Sequence, residues 1–255
     1  MSNNIITIDV GNTNVSCCVY DASLRKLQME VSLPSKEIKK AALYKCFLDF
    51  KDKFVPKRAL ISSVVPDNTK KIIQALEELD IKSNVIIPNE EENILLLDVK
   101  GAKELGADIF CGCVEATRYA KSTITIDMGT AITVALVKDY RFVACAIYPG
   151  VDTSFGALFK DTALLDKVKK EQLDNLIGGD TNVAIMTGIV YGTVGALKEM
   201  ISKYKEVAPD AKVVFTGGAS RDYIKYFDDC IYEKHLIHLG LIDIYERKVG
   251  KWLCN

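Results

Sequence analysis

The chain has 255 residues, 49% of them apolar, with 33 basic against 34 acidic side chains and an isoelectric point of about 6.2. That composition can bury a large core, as one domain or as two similar halves, and the near-neutral balance argues against a basic nucleic-acid surface or an anionic-membrane surface. The opening Met1-Ser2-Asn3-Asn4 has no basic stretch, and the apolar run behind it meets Asp9 too early for a signal peptide or a membrane span, so a cytoplasmic protein is expected.

Taken in chain order, the pattern predicts a hairpin over 5–20, in which Ile6-Thr7-Ile8-Asp9 runs into Val10-Gly11-Asn12-Thr13. A helix over 39–50 follows, then a strand over 58–63 closed by Val64-Val65-Pro66, a helix over 69–79 and a strand over 84–87. After the acidic loop 89–93, Leu105-Gly106-Ala107-Asp108 opens a helix to about Ala120, read as the bridge between the halves. The second half repeats the theme. It has a hairpin over 123–137, a strand over 142–147 ending at Pro149-Gly150, helices over 153–164 and 182–205, a strand over 212–216 and a closing helix over 238–245. Strand-rich openings followed by helix and strand crossovers predict an α/β protein with mixed sheets flanked by helices, once per half.

The strongest signal is a phrase written twice. Ile124-Thr125-Ile126-Asp127-Met128-Gly129-Thr130-Ala131 repeats the first hairpin at an offset of 118 positions (127 − 9), and the match extends to Val19 with Val137 and Asp21 with Asp139. Each copy sets a carboxylate and a glycine turn at a strand end. Glycine lets backbone N–H groups approach an anion, side chains such as Asn12, Thr13 and Thr130 donate further bonds, and the Asp can hold a metal ion. One such turn alone reads more simply as a hairpin turn; duplication with flanking strands favours two turns gripping a polyphosphate.

Two other segments carry chemistry. Thr216-Gly217-Gly218 joins a strand to a helix start, where bare backbone could receive a ring or a phosphate, or merely make a tight connection. Asp108 sits at a helix start, as a cap or as a general base for a substrate hydroxyl; the helix N-terminus is expected to hold its carboxyl low, ionised but weakly basic. The eight cysteines contain no Cys-x-x-Cys pair, and the adjacent Cys17 and Cys18 point to opposite faces of a strand, so buried free thiols are expected. His235 and His238 are the only histidines and have no ligand cluster beside them in sequence. Neither a P-loop nor a dinucleotide-binding glycine fingerprint is present.

In order and spacing these residues resemble the actin-like, sugar-kinase-like superfamily and, within it, the type III pantothenate kinases. The match takes in Asp9-Val10-Gly11-Asn12-Thr13, Ser63-Val64-Val65-Pro66, Leu105-Gly106-Ala107-Asp108, Asp127-Met128-Gly129-Thr130-Ala131, Ile147-Tyr148-Pro149-Gly150, Thr216-Gly217-Gly218 and Leu239-Gly240-Leu241. The resemblance implies two ribonuclease H-like (actin-like) domains, here 1–118 and 119–255, and ATP-dependent phosphorylation of pantothenate, the first step toward coenzyme A. It implies that Asp9, Gly11, Asn12, Thr13, Asn14, Thr130, Gly217 and Gly218 bind ATP, with Asp9 holding Mg²⁺. Asp127 would ligate a monovalent cation, K⁺ or NH₄⁺. Asp108 would be the catalytic base, and Gly106, Ala107 and Asp108 would contact pantothenate with Thr181 from the partner chain of a homodimer.

The chain also departs from the family pattern. Ile109 stands where the family has an arginine, a charged fork that isoleucine cannot replace; Ala144-Cys145 replaces a Gly-Gly, Ala135 an Asp, and Val99 and Gly101-Ala102 an aromatic and an Asn-Pro. Two further readings stay open: a kinase of this fold acting on another small alcohol, and a catalytically weak ATP-binding regulator.

Overall fold

The structure, a computed structural model, describes residues 3–161 and 179–253, without the side chains of Phe159, Asp161 and 249–253. Two compact units emerge, Met1–Tyr119 with Tyr140–Val143 and His235–Asn255, and Ala120–Asp139 with Ala144–Lys234.

In the first unit, β1 (Asn4–Val10), β2 (Asn14–Asp21), β3 (Lys26–Pro34), β4 (Arg58–Ser63) and β5 (Lys82–Val85) form a sheet in the order β3-β2-β1-β4-β5. β1 is antiparallel to β2 and parallel to β4. Its β-branched run suits a central strand covered on both faces. Ile6, Ile8 and Val10 face α1 (Lys40–Phe54) and α2 (Pro66–Glu77), where they join Leu43, Phe47, Phe50, Ile72 and Leu76 in a buried core. Each such side chain contributes roughly 1.5–3 kcal/mol. The alternate residues look the other way, toward α3 (Ala107–Ala116) and α7 (Leu236–Leu253), where Thr7 Oγ1 lies 2.9 Å from His238 Nδ1.

Sequence reading placed no strand at β3, although Leu27, Met29, Val31 and Leu33 alternate with polar residues as a half-buried edge strand does. It started α2 three residues late, because Pro66, read as closing the strand, is the first helical residue, a position that needs no N–H. The expected bridging helix is shorter than predicted: α3 ends at Ala116 inside the first unit, closed by Thr117, whose hydroxyl donates to the Val114 carbonyl at 2.6 Å.

The second unit contains β7 (Thr123–Met128), β8 (Ala131–Lys138), β9 (Arg141–Pro149), α4 (Val151–Asp161), α5 (Thr181–Val207), β10 (Lys212–Thr216), α6 (Ser220–Tyr223) and β11 (Cys230–Tyr232). Its strands run β11-β10-β7-β8-β9, the arrangement of the first sheet repeated. Asp139 and Tyr140 both have positive φ (48° and 61°), as a two-residue hairpin between β8 and β9 requires. The first residues of β9, Arg141 and Phe142, are counted with the first unit, where they pair with Leu96 and Leu97 (β6, Leu96–Leu97). α5 is long and apolar enough by composition to cross a membrane, yet it buries a stripe of Met186, Val190, Val194 and Leu197 at helical spacing, and Tyr204 Oη donates to the Val134 carbonyl of β8 at 3.4 Å. That is the pattern of a helix packed on a sheet. The end of the helix expected over 153–164 lies outside the described residues. No disulfide joins any of the seven described cysteines, and Cys17, Cys18, Cys111 and Cys113 are buried.

Candidate active site

In the first unit the site begins where β1 runs out. The Asp9 backbone pairs with Ser62 of the parallel neighbour β4, the Val64 N–H donates to the Val10 carbonyl, and the Gly11 N–H donates to the Asn14 carbonyl at 3.0 Å. These bonds hold the turn so that Asn12, Thr13 and Asn14 stand exposed beyond the strand ends. The next loop is tied down by Ser63, whose Oγ accepts from the Val65 N–H at 3.1 Å and from the Thr69 hydroxyl at 2.6 Å. Ser62, buried beside Asp9 in register, has a hydroxyl with no hydrogen-bond partner among the described residues. Sequence reading passed over it; the signal was a serine pair ending an otherwise apolar strand.

Asp108 lies in the first turn of α3, whose N-cap is Gly106. Its Oδ1 accepts from the Ile109 N–H at 2.8 Å. A β-carbon on Gly106 would lie 2.4 Å from that same oxygen, so only glycine leaves room for the carboxylate to fold over the helix start. The expectation of a low carboxyl is corrected: burial pushes the Asp108 carboxyl above the usual range and outweighs the backbone N–H groups that pull it down. A half-buried aspartate is thereby a better base than a solvated one. The thiol of buried Cys111 is pushed well up by burial and then by the charges of Asp9 and Asp108. Ile109 follows Asp108 half-buried and offers no charge.

The second unit builds a matching turn. Asp127, next to last in β7, is in register with Thr133 of β8 and Thr216 of β10. Gly129 and Thr130 make the hairpin, and the Thr130 carbonyl accepts from the Gly150 N–H at 2.9 Å and from the Thr153 hydroxyl at 2.6 Å, so the turn after β9 braces the turn after β7. Gly217 has φ +90°, and a β-carbon there would fall 2.3 Å from Asp127 Oδ1 and 2.6 Å from the Met128 nitrogen. The residue must be glycine on both counts. Gly218, by contrast, is exposed with nothing near its missing β-carbon. Structure therefore brings Asp127, Gly129, Thr130, Gly150 and Gly217 together, with Gly218 alongside.

Thr181 is exposed at the first position of α5, where the Asp180 side chain caps the helix by accepting from the Val183 N–H at 3.0 Å. Gly178 lies outside the described residues.

A duplicated mixed sheet with a carboxylate and a glycine turn at the end of each central strand defines the class by its fold: a two-unit α/β protein whose paired strand-end turns suit an anionic ligand. The profile of the family described as type III pantothenate kinase matches residues 5–203. A type III pantothenate kinase from Dictyoglomus turgidum is 31% identical over 252 residues, which cover 94% of this chain and 98% of that one. One from Thermosipho africanus is 34% identical over 204 residues, 77% of each chain. Among solved structures, a Baf family transcriptional activator from Campylobacter jejuni shares the fold at a TM-score of 0.62 and 20% identity, over 96% of this chain and 99% of that one. The chain belongs to the type III pantothenate kinase family.

Proposed function

We infer that the protein transfers the γ-phosphoryl group of ATP to the primary hydroxyl of pantothenate, making 4′-phosphopantothenate at the entry to coenzyme A synthesis. Family membership across most of the chain carries the reaction, and the Asp108 carboxylate, folded over Gly106 at the start of α3, carries the chemistry.

In this reading the exposed turn of Gly11, Asn12, Thr13 and Asn14 and its counterpart at Thr130 donate to the phosphates of ATP, and Gly217 and Gly218 offer bare backbone to the nucleotide. Asp9 is the carboxylate for Mg²⁺, supported by its place at a strand end beside an unpartnered buried hydroxyl. Bound there, Mg²⁺ would neutralise phosphate charge as it builds. Asp127 is the carboxylate for a monovalent cation, K⁺ or NH₄⁺. Gly106, Ala107 and Asp108 line the acceptor position. As the hydroxyl oxygen bonds to the γ-phosphorus, the bond to the β,γ-bridging oxygen breaks and ADP departs, while the hydroxyl proton passes to Asp108. In a loose transition state proton removal comes late, so the elevated carboxyl suffices. Most of the acceleration then comes from positioning and charge stabilisation.

The same reading makes the protein a cytoplasmic homodimer in which Thr181 of one protomer reaches pantothenate bound to the other. With Ile109 at the family's arginine position, the pantothenate carboxylate needs another cation; Lys103 and Lys160, both exposed, are the candidates.

Mass-spectrometric detection of phosphopantothenate after incubation with ATP, Mg²⁺ and pantothenate tests the proposal, with K⁺ or with Na⁺ alone and with Asp108→Asn. K⁺-dependent product absent from the variant is expected. ATP binding without product under every condition overturns the assignment of pantothenate and directs the search to another small alcohol.

A further inference from the structure

Away from the strand-end turns, the face of the first sheet that looks toward α7 carries a row of polar side chains across three strands. Thr7 of β1 is in register with Cys18 of β2, and Cys18 with Glu30 of β3. Residues directly opposed in neighbouring strands share a face, so a hydroxyl, a thiol and a carboxylate stand side by side. Over this row lies the turn that opens α7. Its His235 brings Nε2 to 3.8 Å from Glu30 Oε2, and one ligand atom from each of Cys18, Glu30 and His235 falls within 4.8 Å of the other two.

We propose that Cys18, Glu30 and His235 form a zinc site. Thiolate, imidazole and carboxylate together are a donor set of the kind Zn²⁺ takes. Tetrahedral zinc at ordinary bond lengths holds such atoms about 3.4–3.6 Å apart, so closing the cluster needs only small side-chain shifts. Cys18 is fully buried whereas Glu30 is exposed, which leaves the fourth position open to solvent on the Glu30 side. His238 is not a ligand, since its ring nitrogens lie 2.9 Å from Thr7 Oγ1 and 3.0 Å from Ser16 Oγ. Its ring stands 6.1 Å from that of His235, centroid to centroid, and packs beside the site. Binding would release the Cys18 proton and form three bonds from β2, β3 and the turn before α7. His235 is the first residue of the segment that returns to the first unit, so zinc there would fasten the returning chain to the edge hairpin. The ligands are separate from every residue assigned to phosphoryl transfer, so the site stands or falls independently of the kinase reading.

The test uses the full, untagged chain, stripped with a chelator and kept in excess Mg²⁺ without nucleotide. Zn²⁺ is titrated calorimetrically, and Co²⁺ is titrated as a spectroscopic probe. One zinc per chain, a thiolate-to-cobalt charge-transfer band and a raised melting temperature are expected. Cys18→Ser and His235→Gln should each abolish the charge-transfer band and the bound equivalent, and Glu30→Gln should weaken binding. His235 is partly exposed, so its variant remains folded, which circular dichroism checks. No bound zinc, or zinc binding that survives both Cys18→Ser and His235→Gln, overturns the site and leaves His235 and Glu30 as a plain ion pair.

Discussion

Asp108 sits between opposing influences, burial that favours its neutral form and backbone N–H groups that favour its charged form, and burial prevails. A base acts only when deprotonated, so the acid limb of kcat/KM should lie above the ordinary aspartate range and rise with pH as Asp108 ionises. Asp108→Asn should lower kcat by about 10²–10⁴ while ATP binding stays near normal. A pH–rate profile and an ATP titration of the same variant separate the two effects. Gly217 and Gly218 make a sharper contrast. Gly217→Ala meets the Asp127 carboxylate and Met128 backbone at a positive φ, which should cost about 1–3 kcal/mol or more in stability. Gly218→Ala has open space around it and should leave the melting temperature unchanged. Weakened ATP binding in Gly218→Ala alone would therefore report contact with the nucleotide. The sequence located these residues because each stands in a short local phrase. It gave the wrong sign for the Asp108 carboxyl because burial depends on what packs over α3, which no local phrase records.

At the scale of elements, α3 and α7 are joined by a partly buried ionic group built around the buried carboxylates of Glu115 and Asp243. Arg25, in the turn between β2 and β3, donates to Glu115 of α3 and to Glu246 of α7, while Asp243 of α7 accepts from Arg118 at 2.9 Å and Arg247 at 2.6 Å. Burial pushes the Glu115 carboxyl up to about 7, against the pull of Arg25. An acid whose folded value exceeds its unfolded one favours folding at low pH and loses that contribution as pH rises, here between about 4.5 and about 7. Arg25→Ala removes the counter-charge, so it should destabilise by about 3 kcal/mol at about pH 8, where Glu115 is ionised, and by clearly less at about pH 5, where Glu115 is protonated. Denaturant unfolding at the two pH values checks this, and an equal loss at both would show that packing dominates. None of the network was legible in the sequence, since Arg25 and Glu115 are 90 positions apart and neither stands in a recognisable pattern. The hairpins and β10 were legible from their β-branched runs and β4 from its short apolar run, whereas β11, three residues long, is too short for periodicity to show.

Across the whole molecule, the duplicated phrase foretold more than two turns. Both sheets place the phrase-bearing strand centrally, with an antiparallel hairpin partner on one side and a parallel strand on the other. A carboxylate at the end of a central strand is set by its neighbours on both sides, which is why the repeat survives where the connecting helices differ. Whether one protomer completes the other's site is a question of assembly, and complementation answers it. Asp108→Asn lacks the base but keeps Thr181; Thr181→Ala keeps the base but lacks the threonine. If Thr181 acts across a dimer, a mixed dimer contains one site with both native residues and one with neither. Random exchange of equal amounts makes about half the dimers mixed, so about a quarter of all sites should regain native kcat/KM for pantothenate. If Thr181 serves its own protomer, every site in the mixture carries one defect, and activity remains the average of the two variants. Steady-state assays after subunit exchange, with dimer formation followed by sedimentation, distinguish these outcomes. Recovery above that average would establish a site shared between protomers.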